Sequence, residues 1–139
     1  MGVTQLAVFL ENKAGRLAEV TRVLGNAGVN IIGFSVADTS EYGILRLVVD
    51  SPSKAYNALK EQQFTVYMSK VLCIRVPNRP GGLANALEAL GSRNINVEYM
   101  YPIGEAEIVF GVENLDEAVN ALQGADVTIL SGSEIGSEE

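Results

Sequence analysis

The feature that most constrains this chain is that it contains its own plan twice. Residues 12–18 (NKAGRLA) match residues 78–84 (NRPGGLA) at a constant offset of 66, and the register holds through Leu24/Leu90, Gly25/Gly91 and Asn30/Asn96. Further along it resumes at an offset of 63, with Val49-Asp50 against Val112-Glu113 and Asn57-Ala58-Leu59 against Asn120-Ala121-Leu122. Three residues are therefore missing from the second copy between its second and third strands, where a hairpin loop tolerates deletion. A duplicated plan within 139 residues predicts two small units, at residues 1–69 and 70–131. An acidic, glycine- and serine-rich tail follows at 132–139 (GSEIGSEE) and is expected to be flexible. Each unit is near the size at which a single core becomes marginal, so support from the other unit or from a second copy of the chain is expected.

Each copy reads as βαββαβ. In the second, Pro80-Gly81-Gly82 makes a tight corner, proline presetting φ for the first helical turn and the glycines letting the backbone bend sharply. Leu83, Ala86, Leu87 and Leu90 follow at helical spacing, and Gly91 and Asn94 close the helix, asparagine tolerating the left-handed terminal position. In the first copy, residues 4–10 (TQLAVFL) form a strand that is apolar on both alternations, Leu6, Val8 and Leu10 against Ala7 and Phe9. That surplus suggests cover on its second face or its edge as well. Leu17, Val20, Leu24 and Ala27 stripe the first helix, and Gly28 stops it. Strands at 30–37 and 42–49 flank a turn at Asp38-Thr39-Ser40-Glu41. Ser51 is placed to cap a second helix with Pro52 at its first position, and Asn114 to cap the last helix with Glu117 three residues on. Residues 64–76 hold no glycine or proline, so the strand closing the first copy (64–69) runs almost directly into the one opening the second (70–76).

The residue inventory removes several chemistries. With no histidine and one cysteine, a structural zinc site, a Ser-His-Asp triad and a Cys-His pair are all excluded. Cys73, within the apolar run VLCI, reads as a buried inert thiol. A net charge of −7 repels phosphate backbones, and no basic stripe with interleaved aromatics offsets it, so no nucleic-acid partner is expected. No apolar run approaches the roughly 20 residues that span a bilayer, and no charged segment followed by an apolar one opens the sequence. No membrane partner is expected, and a cytoplasmic location follows. Glu105 and Glu107 have no partner base or metal motif and read as a solvated strand face, and residues 98–102 (EYMYP) as strand core or interface filling.

The duplicated corner is the candidate site. Two helix starts, each preceded by a glycine turn and an asparagine, offer free backbone N–H groups and the positive end of a helix dipole, which suit a small carboxylate. Asn12 and Asn78 add amides that both donate and accept, matching the ammonium and carboxylate of a free amino acid. Asn30 and Asn96, at the second strands, are further polar candidates. An asparagine before a helix is also an ordinary cap, and an arginine at a helix start an ordinary surface residue; both readings stand beside the functional one.

The pattern NRPGGLA…L…NINV with the βαβ segment that follows resembles the ACT domain of amino-acid-responsive regulatory proteins. The layout ENKAGRLAEV…VNI and then PNRPGGLANAL…INVEYMY is similar to that of small proteins made of two ACT domains in tandem, from about residue 4 to 130. The resemblance implies an α+β chain of two ferredoxin-like units, each an antiparallel sheet with helices on one face. It also implies side-by-side pairing of such domains. An amino acid would bind at their interface, against the loop before the first helix and the start of the second strand. Carried onto this sequence, it assigns Asn12, Lys13, Gly15, Arg16, Leu17 and Asn30 to a first site. Asn78, Arg79, Pro80, Gly81, Gly82, Leu83 and Asn96 form a second. The first copy departs from the motif twice, with Ala14 where the motif has proline and Arg16 where the second copy has Gly82. Its loop is therefore expected to be less pre-set, and Arg16 either clamps a ligand carboxylate or fills the ligand's space.

The expected function is a non-catalytic regulatory protein that senses a free amino acid by population shift. A homodimer, no cofactor, and a partner enzyme of amino-acid metabolism are expected with it. The alternative is a ligand-free structural or regulatory subunit that pairs with a metabolic enzyme. A small phosphatase on this fold would need a group to position water beside Arg16 or Arg79, and the sequence offers none. RNA binding would need paired exposed aromatics on the central strands, which ILRLVV and EIVFGV do not supply.

Overall fold

The computed structural model describes residues 2–38 and 41–138. Its elements run β1 (Val3–Glu11), α1 (Arg16–Asn26), β2 (Ile31–Asp38), β3 (Tyr42–Val49), α2 (Pro52–Glu61), β4 (Thr65–Arg75), α3 (Gly82–Ser92), β5 (Val97–Pro102), β6 (Glu107–Val112), α4 (Leu115–Ala121), β7 (Thr128–Ile129) and a 3-10 turn (Ser133–Ile135). They fall into two compact units, an N-terminal unit of residues 4–69 with 132–138 and a C-terminal unit of residues 2–3 with 70–131. Among the described residues no helix is long and apolar enough to cross a membrane. The turn expected at residues 38–41 falls partly on 39 and 40, outside the described residues.

In the N-terminal unit the sheet order is β2-β3-β1 with the first part of β4, and both β1 and β2 lie antiparallel to β3. Side chains alternate across the pleat, so Leu6, Val8 and Leu10 of β1 share a face with Leu45, Leu47 and Val49 of β3. Val20 and Leu24 of α1 and Ala55 and Leu59 of α2 close over that face in one buried cluster. The C-terminal unit builds the same core at the repeat offsets. Leu72, Ile74 and Val76 stand for Leu6, Val8 and Leu10, Ala86 and Leu90 for Val20 and Leu24, Ala118 and Leu122 for Ala55 and Leu59. Its strands β5 and β6 have 6 residues each against 8 in β2 and β3, so the deletion expected in the loop is taken up by the strands of the hairpin instead.

Local chemistry sets most of the boundaries. Asn114 caps α4 by accepting from the Glu117 amide at 3.0 Å. Ser51 stands at the N-cap of α2 before Pro52, yet its side chain makes no capping bond. Gly28 (φ 77°) and Asn94 (φ 58°) take the left-handed conformation beyond the helix ends. There Val29 N–H donates to Leu24 O and Ile95 N–H to Leu90 O, at 2.9 and 3.0 Å, the same double-looped ending at both copies. The two strands expected at 64–69 and 70–76 are a single strand, β4, within which the unit boundary falls. Phe9, the surplus apolar residue of β1, stands on the helix-free face against the edge of the Tyr67 ring, with centroids 5.5 Å apart.

Residues 132–138 belong to the N-terminal unit and bond to it at the end of β3. Ser137 is buried and its hydroxyl donates to Val49 O at 2.6 Å, while Glu138 N–H donates to Asp50 O at 2.8 Å. Carbonyls at the end of β3 need acceptable donors, and the tail backbone and one hydroxyl supply them.

Candidate functional site

Both corners ahead of the long first helices have the same backbone. Gly15 (φ 90°) and Gly81 (φ 85°) are left-handed N-cap residues, a conformation that costs a side-chain-bearing residue about 1–3 kcal/mol. Lys13 N–H donates to Glu11 O and Arg79 N–H to Pro77 O, both at 2.9 Å; Glu19 N–H to Gly15 O and Asn85 N–H to Gly81 O, both at 3.0 Å. A glycine cap brings no side-chain acceptor, and neither helix start has a capping side chain. Ala14 in place of proline therefore does not change the shape of the first corner.

Position 16/82 does change it. A Cβ on Gly82 would stand 2.1 Å from the Pro77 carbonyl oxygen, so the second corner is closed down on its own strand end as only glycine permits. With Arg16 there instead, the first corner is looser: Arg16 N–H to Lys13 O is 3.4 Å, against 3.0 Å for Gly82 N–H to Arg79 O. The Arg16 guanidinium forks between Glu11 Oε1 at 2.8 Å and Glu19 Oε2 at 2.9 Å, and Glu19 first, then Glu11, raises its pKa further. Lys13 Nζ stands 3.8 Å from Glu11. At the second corner Arg79 reaches Asp126 at 2.9 Å, with both side chains largely exposed.

The first corner overlies a pocket of about 210 Å³. Glu11, Asn12, Lys13 and Arg16 form its polar rim, and Leu10, Leu17, Val36 and Leu45 its apolar wall, with Gly43 also in the lining. A second groove of about 410 Å³ lies on the other side of the Glu11–Arg16 pair, between the end of β1 and the α2–β4 turn. Of the first-site residues, Asn12, Lys13, Arg16 and Leu17 thus come together, with Gly15 at their turn. Asn30 does not join them. The register pairs Glu11 with Tyr42 at one end of β3 and Ile31 with Val49 at the other, so Asn12 and Asn30 lie roughly 25 Å apart along the sheet. Asn30 is held by Asp50, whose Oδ1 accepts its N–H at 3.0 Å. In the C-terminal unit Asn78, Arg79, Pro80 and Gly81 are exposed around buried Gly82 and half-buried Leu83. Asn96 precedes the end of β5 that pairs with Val112, away from the corner, which follows the Arg75–Glu107 end of the sheet.

Val36 and Leu45 were not legible as site residues, because they reach the corner only through the β2-β3-β1 register. The other candidates resolve as structure. Glu107 is cross-strand partner to Arg75, 3.2 Å from its Nε, while Glu105 lies in the bend before β6, so the two form no acid-base pair. The Tyr99 ring covers Gly111 on the paired strand, and Tyr101 is buried. Burial, followed by the nearby Glu107 charge, pushes the Cys73 thiol from 9.0 up to about 11. The helix-free face of the N-terminal unit does present an aromatic pair, Phe9 and Tyr67, on β1 and β4. Among the described residues no group of three or more His, Cys, Asp or Glu side chains is placed to hold a metal.

A family model described as an ACT domain pair matches residues 1–134. Protein BT0572 from Bacteroides thetaiotaomicron is 38% identical, with a TM-score of 0.91 over 99% of this chain and 98% of that one. The regulatory subunit of aspartate kinase from Thermus thermophilus, in its ligand-free form, is 17% identical, with a TM-score of 0.67 over 89% of this chain and 93% of that one, a likeness of fold. No curated protein matches.

Proposed function

The chain belongs to the ACT domain family as an ACT domain pair, and from that premise we propose that it is a non-catalytic regulatory protein that binds a free amino acid. The observation that carries the proposal is the first corner: a helix start with no side-chain cap, facing a small pocket whose rim holds an amide, two cations and a carboxylate. The α-carboxylate of the ligand lies toward Lys13, Arg16 and the helix N–H groups, and its ammonium toward Glu11 and the Asn12 amide oxygen. The ligand trades places with Glu11 in the Glu11–Arg16 pair, so occupancy shifts the balance between two arrangements of the corner. The first corner is the stronger binding candidate, since Gly82 is shut against Pro77 and Arg79 is turned to Asp126.

A homodimer is part of the proposal, because a second copy is one way for a single ligand to meet both a corner and a strand start such as Asn30 or Asn96. The partner is an enzyme of amino-acid metabolism in the cytoplasm, a reading supported by the fold shared with a regulatory subunit of aspartate kinase. The test is a thermal-shift panel of the common amino acids on the full chain, with sedimentation to give its oligomeric state. A ligand at 100 times its dissociation constant stabilises by about 2.7 kcal/mol. A flat response across the panel overturns ligand binding and leaves a ligand-free pairing subunit as the reading.

A further inference from the structure

We infer that the pocket at the first corner selects amino acids with a neutral aliphatic side chain, and that Leu17 and Val36 set this selectivity; the inference rests on the amino-acid-binding reading above. The pocket is divided. Its polar groups all come from residues 11–16, the end of β1 and the corner itself, whereas its apolar groups come from four different elements, β1, α1, β2 and β3. A ligand with its charged backbone at the loop therefore directs its side chain at leucine and valine.

Charge argues the same way. Within the lining Glu11 is already paired with Arg16 and Lys13, and Arg16 also with Glu19. The apolar wall brings no further charge, so a side-chain ammonium or a second carboxylate on the ligand would be desolvated there without a counter-ion. A volume of about 210 Å³ sits below the roughly 300–1,000 Å³ of pockets for larger ligands, which limits the occupant to a small metabolite.

Leu17 also departs from its repeat counterpart. Leu83 packs against the core of the C-terminal unit, whereas Leu17 is 45% exposed and turned to the pocket. Val36, across the pocket on β2, is 47% exposed, although Leu45, its partner on β3, is buried. Two branched side chains left open on facing walls are surface that an aliphatic ligand would cover, and burying a methylene in such a pocket is worth about 10–200-fold in discrimination.

The experiment is calorimetric titration of the full chain, and of Leu17→Ala and Val36→Ala, with leucine, isoleucine, valine, alanine, lysine and aspartate. The expected order is leucine, isoleucine or valine above alanine, with lysine and aspartate weakest. Each variant is expected to lower the leucine-to-alanine affinity ratio about tenfold or more. Both residues are exposed, so the variants are expected to fold, and a far-UV spectrum identical to the parent checks it. Binding of lysine or aspartate in preference to leucine, or an unchanged ratio in both variants, overturns the selectivity but not the amino-acid-binding reading. Absence of heat with every amino acid overturns both.

Discussion

Alanine at Gly82 and alanine at Gly91 are the same substitution in the same helix with opposite expected outcomes. At Gly82 the new Cβ would lie 2.1 Å from the Pro77 oxygen and 3.2 Å from its carbonyl carbon, and both are backbone atoms that no rotamer change can move away. The corner must open, and the first copy shows the shape it would take, with a 3.4 Å bond where the second has 3.0 Å. Overpacking of this kind costs about 1–3 kcal/mol. The available looser shape holds it to the lower half of that range, and the lost freedom of the unfolded glycine returns about 0.4–1 kcal/mol. The net expectation is a destabilisation of about 1 kcal/mol. At Gly91 nothing lies within 4 Å of the added Cβ and the backbone is helical, so only the entropy gain remains, about 0.4–1 kcal/mol of added stability. Urea unfolding followed by far-UV circular dichroism reads both as midpoint shifts at constant slope. If Gly82→Ala matches or exceeds the parent, or if both variants move in the same direction, the closed second corner is wrong.

Removing the cap in Asn114→Ala is expected to cost about 1 kcal/mol, whereas Ser51→Ala, which breaks no capping bond, should change the urea midpoint little; equal losses would contradict the cap geometry. Ser137→Ala removes a buried hydroxyl bond to Val49 O and should cost about 0.5–1.5 kcal/mol, with hydrogen exchange rising at residues 132–138; an unchanged midpoint would mean the tail is not anchored there. The folded pKa of Cys73 is raised, so between pH 9 and about 11 the native chain keeps a proton that the unfolded chain has lost. Its contribution to stability is full below pH 9 and falls as pH rises toward 11, and the parent should lose more stability over that window than Cys73→Val; parallel pH profiles would refute it.

Features set by neighbours in sequence were legible, and those set by pairing were not. The stripe Val20-Leu24 and its copy Ala86-Leu90, the left-handed Asn94 and the Asn114 cap each follow from residues within a turn or two, and all stand where the residue pattern puts them. The unit boundary inside β4 could not be read, because strand continuity depends on which partners each end finds. Of the candidate site, the grouping of Asn12, Lys13, Gly15, Arg16 and Leu17 at one corner follows from the glycine turn. Val36 and Leu45 required the strand register, as did the separation of Asn30 from Asn12. The sequence allows Arg16 to be clamp or filler; that its fork is held by Glu11 and Glu19 depends on how the end of β1 meets the first turn of α1. The bonds of the tail could not be read from its composition, because one hydroxyl and one amide find Val49 O and Asp50 O only through the fold.

The anchored tail also bears on how the molecule is made. Synthesis delivers the N-terminal unit first, and a unit ordinarily folds as soon as its last piece has emerged. Here that last piece is residues 132–138, which the ribosome translates only after all of the C-terminal unit. The half that is begun first is thus completed last, and protease clipping after Ser131 would leave the later-made half intact while reopening the earlier one.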